Sequence, residues 1–335
     1  MFIGRKVPGQ GTSLFKDPAS GKGEKPMRVG GQAVIEGVMM RSPNSMAVAV
    51  RRPNGEIVVK REGLTFLSEK TFIFKFPLVR GILVLLSALI LGIKALNFSV
   101  NQAHSESEAE KDPSPWAMGI TLTMALCFGI FLFFLIPLFL TRWLRFVVPV
   151  LSESGLLFNL VDGVIRLIIF LAYLRAISFM SEIRRVFQYH GAEHKSIFAF
   201  EAGEALRVDR VKGFPFLHPR CGTSFLLIVM VVSIIVFGLI PHHLPFGYKV
   251  ASRVVLIPFI AGVSYEMIRF SDRKRESRGI GYLIKPGLWL QRLTAHEPTE
   301  TQIEVALHAL RAVLEMEGHG NKALSNAKAE SSNEI

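Results

Sequence analysis

The feature that most constrains the fold is an uncharged stretch of 25 residues, 117–141. Tryptophans flank it, Trp116 and Trp143. A helix of about 20 apolar residues crosses the hydrocarbon core of a bilayer, and tryptophan is enriched at the two membrane interfaces. The stretch therefore predicts a transmembrane helix with an aromatic anchor at each end.

Three further apolar stretches predict transmembrane helices. Residues 222–241 are 20 positions without a charge, whereas 155–180 and 250–268 are apolar but contain charged residues. Because a charge facing lipid is costly, those charges are expected to face protein or water. The uninterrupted apolar run within 77–98 is shorter and ends at Lys94, which is more typical of a re-entrant or interfacial helix.

The remaining segments predict a cytoplasmic module beside the membrane helices. In 28–76, Asn54-Gly55 separates two β-branched runs, which is a hairpin signal. In 269–318, apolar residues recur at helical spacing and predict an amphipathic helix that packs on this module. The composition of 1–27 and 319–335 is typical of disordered tails. The predicted fold class is an α-helical polytopic membrane protein with about four transmembrane helices, a re-entrant or interfacial helix and a small N-terminal β-hairpin module.

Basic residues are divided unequally between the two sides of the predicted membrane helices. The formal net charge is +12, and fifteen Lys and Arg residues near the helix ends lie on the side of 181–221, against three on the other side. The positive-inside rule makes the side of 181–221 cytoplasmic. The basic N-terminal module would lie outside if 77–98 crossed, so we expect that segment to dip in without crossing. The bilayer is the expected partner, and no nucleic acid is expected, because no recognition motif accompanies the basic residues.

The segment 189–195, YHGAEHK, has the spacing of a metal-dependent hydrolase. Residues four apart share a helix face, so His190 and His194 can bind one metal ion. Glu193 lies beside that face and is placed to act as a general base toward water. The order H-x-x-E-H is the inverse of H-E-x-x-H. A divalent metal, best matched by zinc, is the predicted cofactor.

A catalytic zinc site needs a third protein ligand, and three residues are candidates. His218 and Cys221 precede a predicted membrane helix, and Glu266 lies near the cytoplasmic end of another. Each has a structural alternative, which is a loop hydrogen bond for His218, a small buried side chain for Cys221 and an ion pair with an arginine for Glu266. The whole motif also has a structural alternative, in which its polar side chains only solvate a helix that leaves the membrane. Asp162 and Arg166, four apart, are expected to form a structural pair.

Four segments in order resemble the YqhQ-like family of bacterial membrane proteins, which is named for a domain of unknown function. They are GGQAVIEGVMMRSPN at 30–44, YHGAEHK at 189–195, HPRCGTSF at 218–225 and PGLWLQRLT at 286–294. The resemblance extends over about 28–315. It implies a location in the bacterial inner membrane and a predicted metal-dependent enzyme. Glu36, in the first segment, either reaches the metal site or pairs with an arginine.

Two classes of function follow from these features. The first is a membrane metal-dependent hydrolase, possibly a peptidase, with its site at the cytoplasmic face. The alternative is a non-enzymatic scaffold, assembly factor or transporter component with a structural metal or a hydrogen-bonded polar cluster. The polar motifs lie at the ends of predicted helices, which favours a surface site over a transport path. Substrate and oligomeric state stay open.

Overall fold

The computed structural model describes residues 27–64, 76–103, 115–218, 221–241, 244–273 and 278–318. Apart from Met27, the tails predicted at 1–27 and 319–335 lie outside the described residues. The N-terminal module is a four-stranded antiparallel sheet with neighbours in chain order. Its strands are β1 (Gly30–Val34), β2 (Gly37–Arg41), β3 (Ser45–Arg51) and β4 (Ile57–Gly63).

The predicted hairpin is confirmed, but it is only half of the sheet. Strands β3 and β4 pair from Arg51 with Ile57 onward, and Gly55 in their connection has a φ of 90°, a left-handed conformation that glycine adopts readily. Two residues, Ile35 and Glu36, connect β1 to β2. Glu36 has a φ of 50°. A positive φ is uncommon for a non-glycine residue, so this turn is held by contacts of the Glu36 side chain that are described below.

Helices make up most of the rest of the described chain. They are α1 (Pro77–Ala103), α2 (Pro115–Ile130), which continues through a π-helical turn (Phe131–Leu135) into α3 (Ile136–Val147), α4 (Val150–Glu153), α5 (Gly155–Ile177), α6 (Ser181–Glu201), α7 (Val208–Val211), α8 (Thr223–Gly238), α9 (Phe246–Val255), α10 (Ile257–Arg273), α11 (Arg278–Thr294) and α12 (Glu300–Met316).

The sheet is covered on both faces because its side chains alternate between them. Val38 and Met40 lie in one apolar core with residues of α6 and α12, including Leu310. Met39 lies in a second core with Leu91 of α1. The predicted amphipathic C-terminal helix corresponds to α12, which packs on the sheet of the N-terminal module.

Three helical segments are long and apolar enough to cross a membrane, Pro77–Ala103, Gly119–Val147 and Gly155–Ile177. A fourth qualifies only if α9 and α10 count as one bent span. Large apolar side chains point outward from this part of the chain, among them Trp116, which is 84% exposed. An apolar exterior of this kind is consistent with a membrane protein.

Two of the predicted membrane helices differ from their expected form. The segment predicted at 250–268 is broken, since α9 and α10 meet at a bend of 43°. The segment predicted at 222–241 contains α8, which has only 16 residues. At about 1.5 Å per residue this helix is shorter than the usual hydrocarbon thickness.

The segment predicted at 77–98 as re-entrant or interfacial belongs to α1, a single helix of 27 residues. Its first turn contacts α10, where a Cβ on Gly81 would lie 3.1 Å from Gly262 Cα. Its later part contacts the sheet, and Lys94 Nζ lies 3.2 Å from a Glu62 carboxylate oxygen. Helix α1 therefore joins the apolar bundle to the sheet. That it enters the membrane without crossing stays a prediction.

The charged residues of α5 form a buried network. Arg166 donates to Asp162 at 2.6 Å, so the expected structural pair is present. Arg253 of α9 donates to the other oxygen of Asp162 at 3.0 Å, and Arg166 also bonds Ser233 of α8. One carboxylate thus holds α5 and α9 together within the apolar bundle.

Candidate metal centre

The YHGAEHK motif lies in the middle of α6, as its helical spacing predicts. Gly191 allows the segment after α11 to pack directly against this helix. A Cβ at position 191 would overlap the carbonyl oxygen of His296, whose own amide donates to Phe187 O at 2.9 Å. The end of α11 is therefore fixed beside the two histidines.

Both histidines have one ring nitrogen bonded to a backbone carbonyl. His190 Nδ1 lies 2.7 Å from Thr294 O, and His194 Nδ1 lies 2.6 Å from Phe216 O. A carbonyl only accepts, so each Nδ1 carries the proton and each Nε2 keeps a lone pair. Metal-binding histidines normally make such a hydrogen bond from the ring nitrogen that does not bind the metal. The two rings are 4.3 Å apart between centroids, so both lone pairs serve one site.

Cys221 completes the cluster. Its Sγ lies 3.1 Å from His190 Nε2, and Thr223 contacts the sulfur through its hydroxyl at 3.1 Å. One ligand atom from each of His190, His194 and Cys221 lies within 4.8 Å of the other two. Two imidazoles and a thiolate are a donor set that suits zinc, and three protein ligands leave a fourth position open.

The electrostatics of the cluster favour the metal-binding forms. Burial lowers the pKa of His194, which keeps its imidazole neutral. Burial raises the pKa of the Cys221 thiol, but the His194 ring when it is protonated, together with the hydroxyl and amide of Thr223, outweighs burial, and the pKa lies below its ordinary value. A lowered thiol pKa makes thiolate, the form that binds metal, more accessible.

Glu193 is buried beside the cluster, with 5% of its surface exposed. Burial raises its pKa to about 8, against the opposing effect of His190. The amide of Gly31 in β1 donates to this carboxylate. A Cβ on Gly31 would lie 2.9 Å from Glu193 Cδ, so only glycine admits the contact without a shift. The N-terminal sheet therefore contributes directly to the surroundings of Glu193.

The other two candidate ligands lie outside the group of three. His218 is buried, its ring centroid is 5.7 Å from that of His194, and its Nε2 lies 3.6 Å from a Glu201 oxygen. Glu266 pairs with Arg80, with both carboxylate oxygens 2.7 Å from one guanidinium nitrogen. The ion pair that was the structural alternative for Glu266 is thus present.

Glu36 pairs with an arginine, which is the second of the two roles expected for it. It pairs with the Arg185 guanidinium, with one oxygen 2.6 Å from Nε, and Tyr189 lies 3.4 Å from the other oxygen. These contacts join the β1–β2 turn to the first part of α6. They also explain why the turn keeps a glutamate at a positive φ.

Sequence reasoning missed the residues that act through their backbone. Phe216 and Thr294 orient the histidines through carbonyl oxygens, and Gly31 contacts Glu193 through its amide. The side-chain identities of Phe216 and Thr294 carry no signal for such a role. The pair Gly30-Gly31 did carry a signal, since two adjacent glycines suggest a close backbone approach. The sequence did not show which element makes that approach.

Comparison with known proteins identifies the relatives of this chain. Residues 76–316 match the family described as "Protein of unknown function (DUF1385)". The chain is 34% identical over 307 residues to the "Uncharacterized protein YqhQ" of Bacillus subtilis (strain 168), which covers 88% of this chain and 95% of the relative. No solved structure matches the chain. These two likenesses cover nearly all of the described residues, and the chain belongs to the YqhQ-like family, DUF1385, whose function is unknown.

Proposed function

We propose that the protein is a metal-dependent hydrolase of the cell membrane, with zinc at His190, His194 and Cys221. The observation that carries the proposal is the orientation of the two histidines. Both Nδ1 atoms are bonded to carbonyls, so both Nε2 atoms are left for a metal beside the Cys221 thiol. Hydrogen bonding to solvent at a helix end does not require three potential ligands within 4.8 Å of one another.

Glu193 distinguishes a hydrolytic site from a storage site. A bound zinc ion supplies a Lewis acid that makes water a better nucleophile and polarises a carbonyl. Glu193 directly precedes His194 and lies three positions after His190 in the chain, and its carboxylate accepts from the Gly31 amide. A divalent cation held by the cluster would favour the ionised form of this carboxylate, against the effect of burial. The ionised carboxylate can accept a proton from water and return it to a leaving group.

The cytoplasmic face of the inner membrane is the proposed location. The positive-inside bias supports it, as does the position of the cluster between α6, the sheet and the start of apolar helix α8. A site at this boundary can act on a chain that leaves or approaches the membrane. The carbonyls that orient the histidines are compatible with this location, because Thr294 ends α11 and Phe216 precedes α8.

A transporter component is a second candidate, favoured by two specific observations. The bundle contains a broken helix and a buried Asp162–Arg166–Arg253 network, both of which recur in transport proteins. Here the charged groups pair with one another, so a structural role accounts for them. A structural metal site is distinguished by its coordination, since such sites are closed by four protein ligands.

The test compares two glutamates near the cluster. Purified full-length protein is assayed for zinc content and for hydrolysis of a mixture of quenched-fluorescent peptides. Glu193→Gln should keep its zinc and lose at least about a hundredfold in rate, the usual effect of removing a general base. Glu201→Gln, beside His218, should change neither the zinc content nor the rate of hydrolysis by more than a few-fold. Undiminished hydrolysis by zinc-loaded Glu193→Gln protein would remove the proposed role of Glu193.

A further inference from the structure

Strand β1 is an edge strand with an open side. It pairs with β2, and no other described strand lies next to it. Because a two-residue connection closes this hairpin at Val34 and Gly37, alternate residues of β1 exchange hydrogen bonds with β2. Val34, Gln32 and Gly30 are those residues. The amide and carbonyl groups of Ala33 and Gly31 therefore point away from β2, toward the open side.

Within the part of the chain that the structure describes, the open side of β1 has little of the usual protection of an edge. Gly30, Gly31 and Gln32 are exposed, and the strand GGQAV contains no charged residue or proline. Natural proteins normally protect an exposed edge with charges, proline or a covering element. Helix α6 packs on one face of β1 through the apolar core that includes the half-buried Ala33, whereas Gly30, Gly31 and Gln32 stay exposed.

This edge leads directly to the candidate metal centre. The outward amide of Gly31 donates to Glu193, the neighbour of His194 in α6. Glu193 therefore occupies the last outward donor of β1. A chain that paired with β1 would bond Ala33 and then meet Glu193 at the position of its next carbonyl group. The strand thus aligns an incoming backbone with the general base and with the cluster.

We propose that the substrate is a polypeptide in extended conformation, which binds as a fifth strand along β1 through the amide and carbonyl of Ala33. This inference rests on the proposed hydrolase function. Strand addition gives affinity through main-chain hydrogen bonds, so it selects an unfolded or loop segment over a compact small molecule. Water is the co-reactant. The amide C–N bond breaks, a C–O bond forms, and the products are a carboxylate and an amine.

The test uses two hydroxamates that bind zinc alike but differ in peptide length. Binding of acetohydroxamate and of a tetra-alanyl hydroxamate is measured by calorimetry on zinc-loaded full-length protein. The peptide should bind about tenfold or more tightly than acetohydroxamate, as one or two added backbone hydrogen bonds would give. Ala33→Pro removes the outward amide of residue 33 and should abolish this gain, with acetohydroxamate binding unchanged. Ala33→Val adds comparable bulk, keeps the amide and should keep the gain.

The outcomes separate the two proposals. If acetohydroxamate does not bind, the metal site itself is wrong and the proposed function fails. Strand addition is overturned if acetohydroxamate binds but the peptide hydroxamate binds no more tightly than it does. Strand addition is also overturned if the peptide's advantage is as large in Ala33→Pro as in the wild type. If Ala33→Val also loses the gain in affinity, the loss in Ala33→Pro is due to side-chain bulk, and strand addition is again overturned. A tetra-alanyl hydroxamate methylated on its backbone nitrogens repeats the test on the unchanged protein, and it should bind no tighter than acetohydroxamate.

Discussion

His190 Nε2 lies 3.1 Å from Cys221 Sγ, although 31 positions separate the two residues in the chain. The contact joins the middle of α6 to the residue just before α8. The candidate metal centre therefore depends on how the polar helix α6 sits against the start of an apolar helix. Any change that separates these two elements should abolish metal binding before it unfolds either helix.

Metal affinity should rise with pH. A metal ion competes with the proton on the Cys221 thiol, so each pH unit below the thiol pKa should weaken zinc binding about tenfold. The lowered pKa of Cys221 means that affinity levels off at a lower pH than for an ordinary thiol. Competition with a zinc chelator from pH 6 to 8 measures the slope. Cys221→Ser should bind zinc more weakly, and its zinc affinity should depend less steeply on pH. An equal pH dependence in that variant would exclude the thiolate as a ligand.

The glycine pair of β1 offers a matched test of the sheet's contribution. A Cβ on Gly31 would lie 2.9 Å from Glu193 Cδ and 2.6 Å from Met39 O, whereas one on Gly30 would meet nothing within 4 Å. Gly31→Ala should displace Glu193 and lower peptide hydrolysis about tenfold or more with zinc retained. Gly30→Ala should resemble the wild type. Equal rates for both variants would show that β1 does not position Glu193.

The membrane orientation can be tested with single added cysteines in a Cys127→Ser, Cys221→Ser background. Lys60 is exposed on the sheet, and Tyr248 in α9 is 69% exposed. A maleimide that cannot cross membranes should label Tyr248→Cys on intact cells and Lys60→Cys only after permeabilisation. This result follows from the charge bias. Labelling of Lys60→Cys on intact cells would place the sheet outside and make α1 a crossing helix.

The buried network and the Arg80–Glu266 pair should differ in their effect on stability. Asp162 is 1% exposed and binds two arginines, so Asp162→Asn leaves two buried charges poorly compensated, at about 3–5 kcal/mol. The Glu266 side chain is 25% exposed, and Glu266→Gln should cost about 1 kcal/mol. The free energy of unfolding in mixed micelles measures both. Similar losses would contradict the assigned role of Asp162.

Periodicity and spacing predicted most of the local structure. The β3–β4 hairpin follows from Asn54-Gly55, and α12 follows from its apolar repeat, because both patterns depend on neighbouring residues. The histidine pair on α6 follows from the fixed geometry of a helix. Cys221 was one of three candidates for the third ligand, and only tertiary packing brings it, rather than His218 or Glu266, into one group with the two histidines.

Features that depend on distant contacts were not predictable. The break between α9 and α10 places Arg253 on Asp162, and no local pattern indicates a partner 91 positions away. Strands β1 and β2 escaped prediction because the glycines and polar residues of 30–37 weaken the alternating pattern. The contact between Gly31 and Glu193 depends on how the sheet docks on α6. In each case the missing information is the arrangement of elements, which the sequence encodes only collectively.

The most direct test of the account is the metal content of the purified full-length protein. Elemental analysis should find about one zinc per chain in the wild type and in His218→Ala, because three ligands remain. His190→Ala should retain less than about a tenth of it. Substitution with cobalt should give a thiolate charge-transfer band that Cys221→Ser abolishes. A wild-type protein that binds no divalent metal, or a His190→Ala protein that binds a full equivalent, would contradict the proposed metal centre.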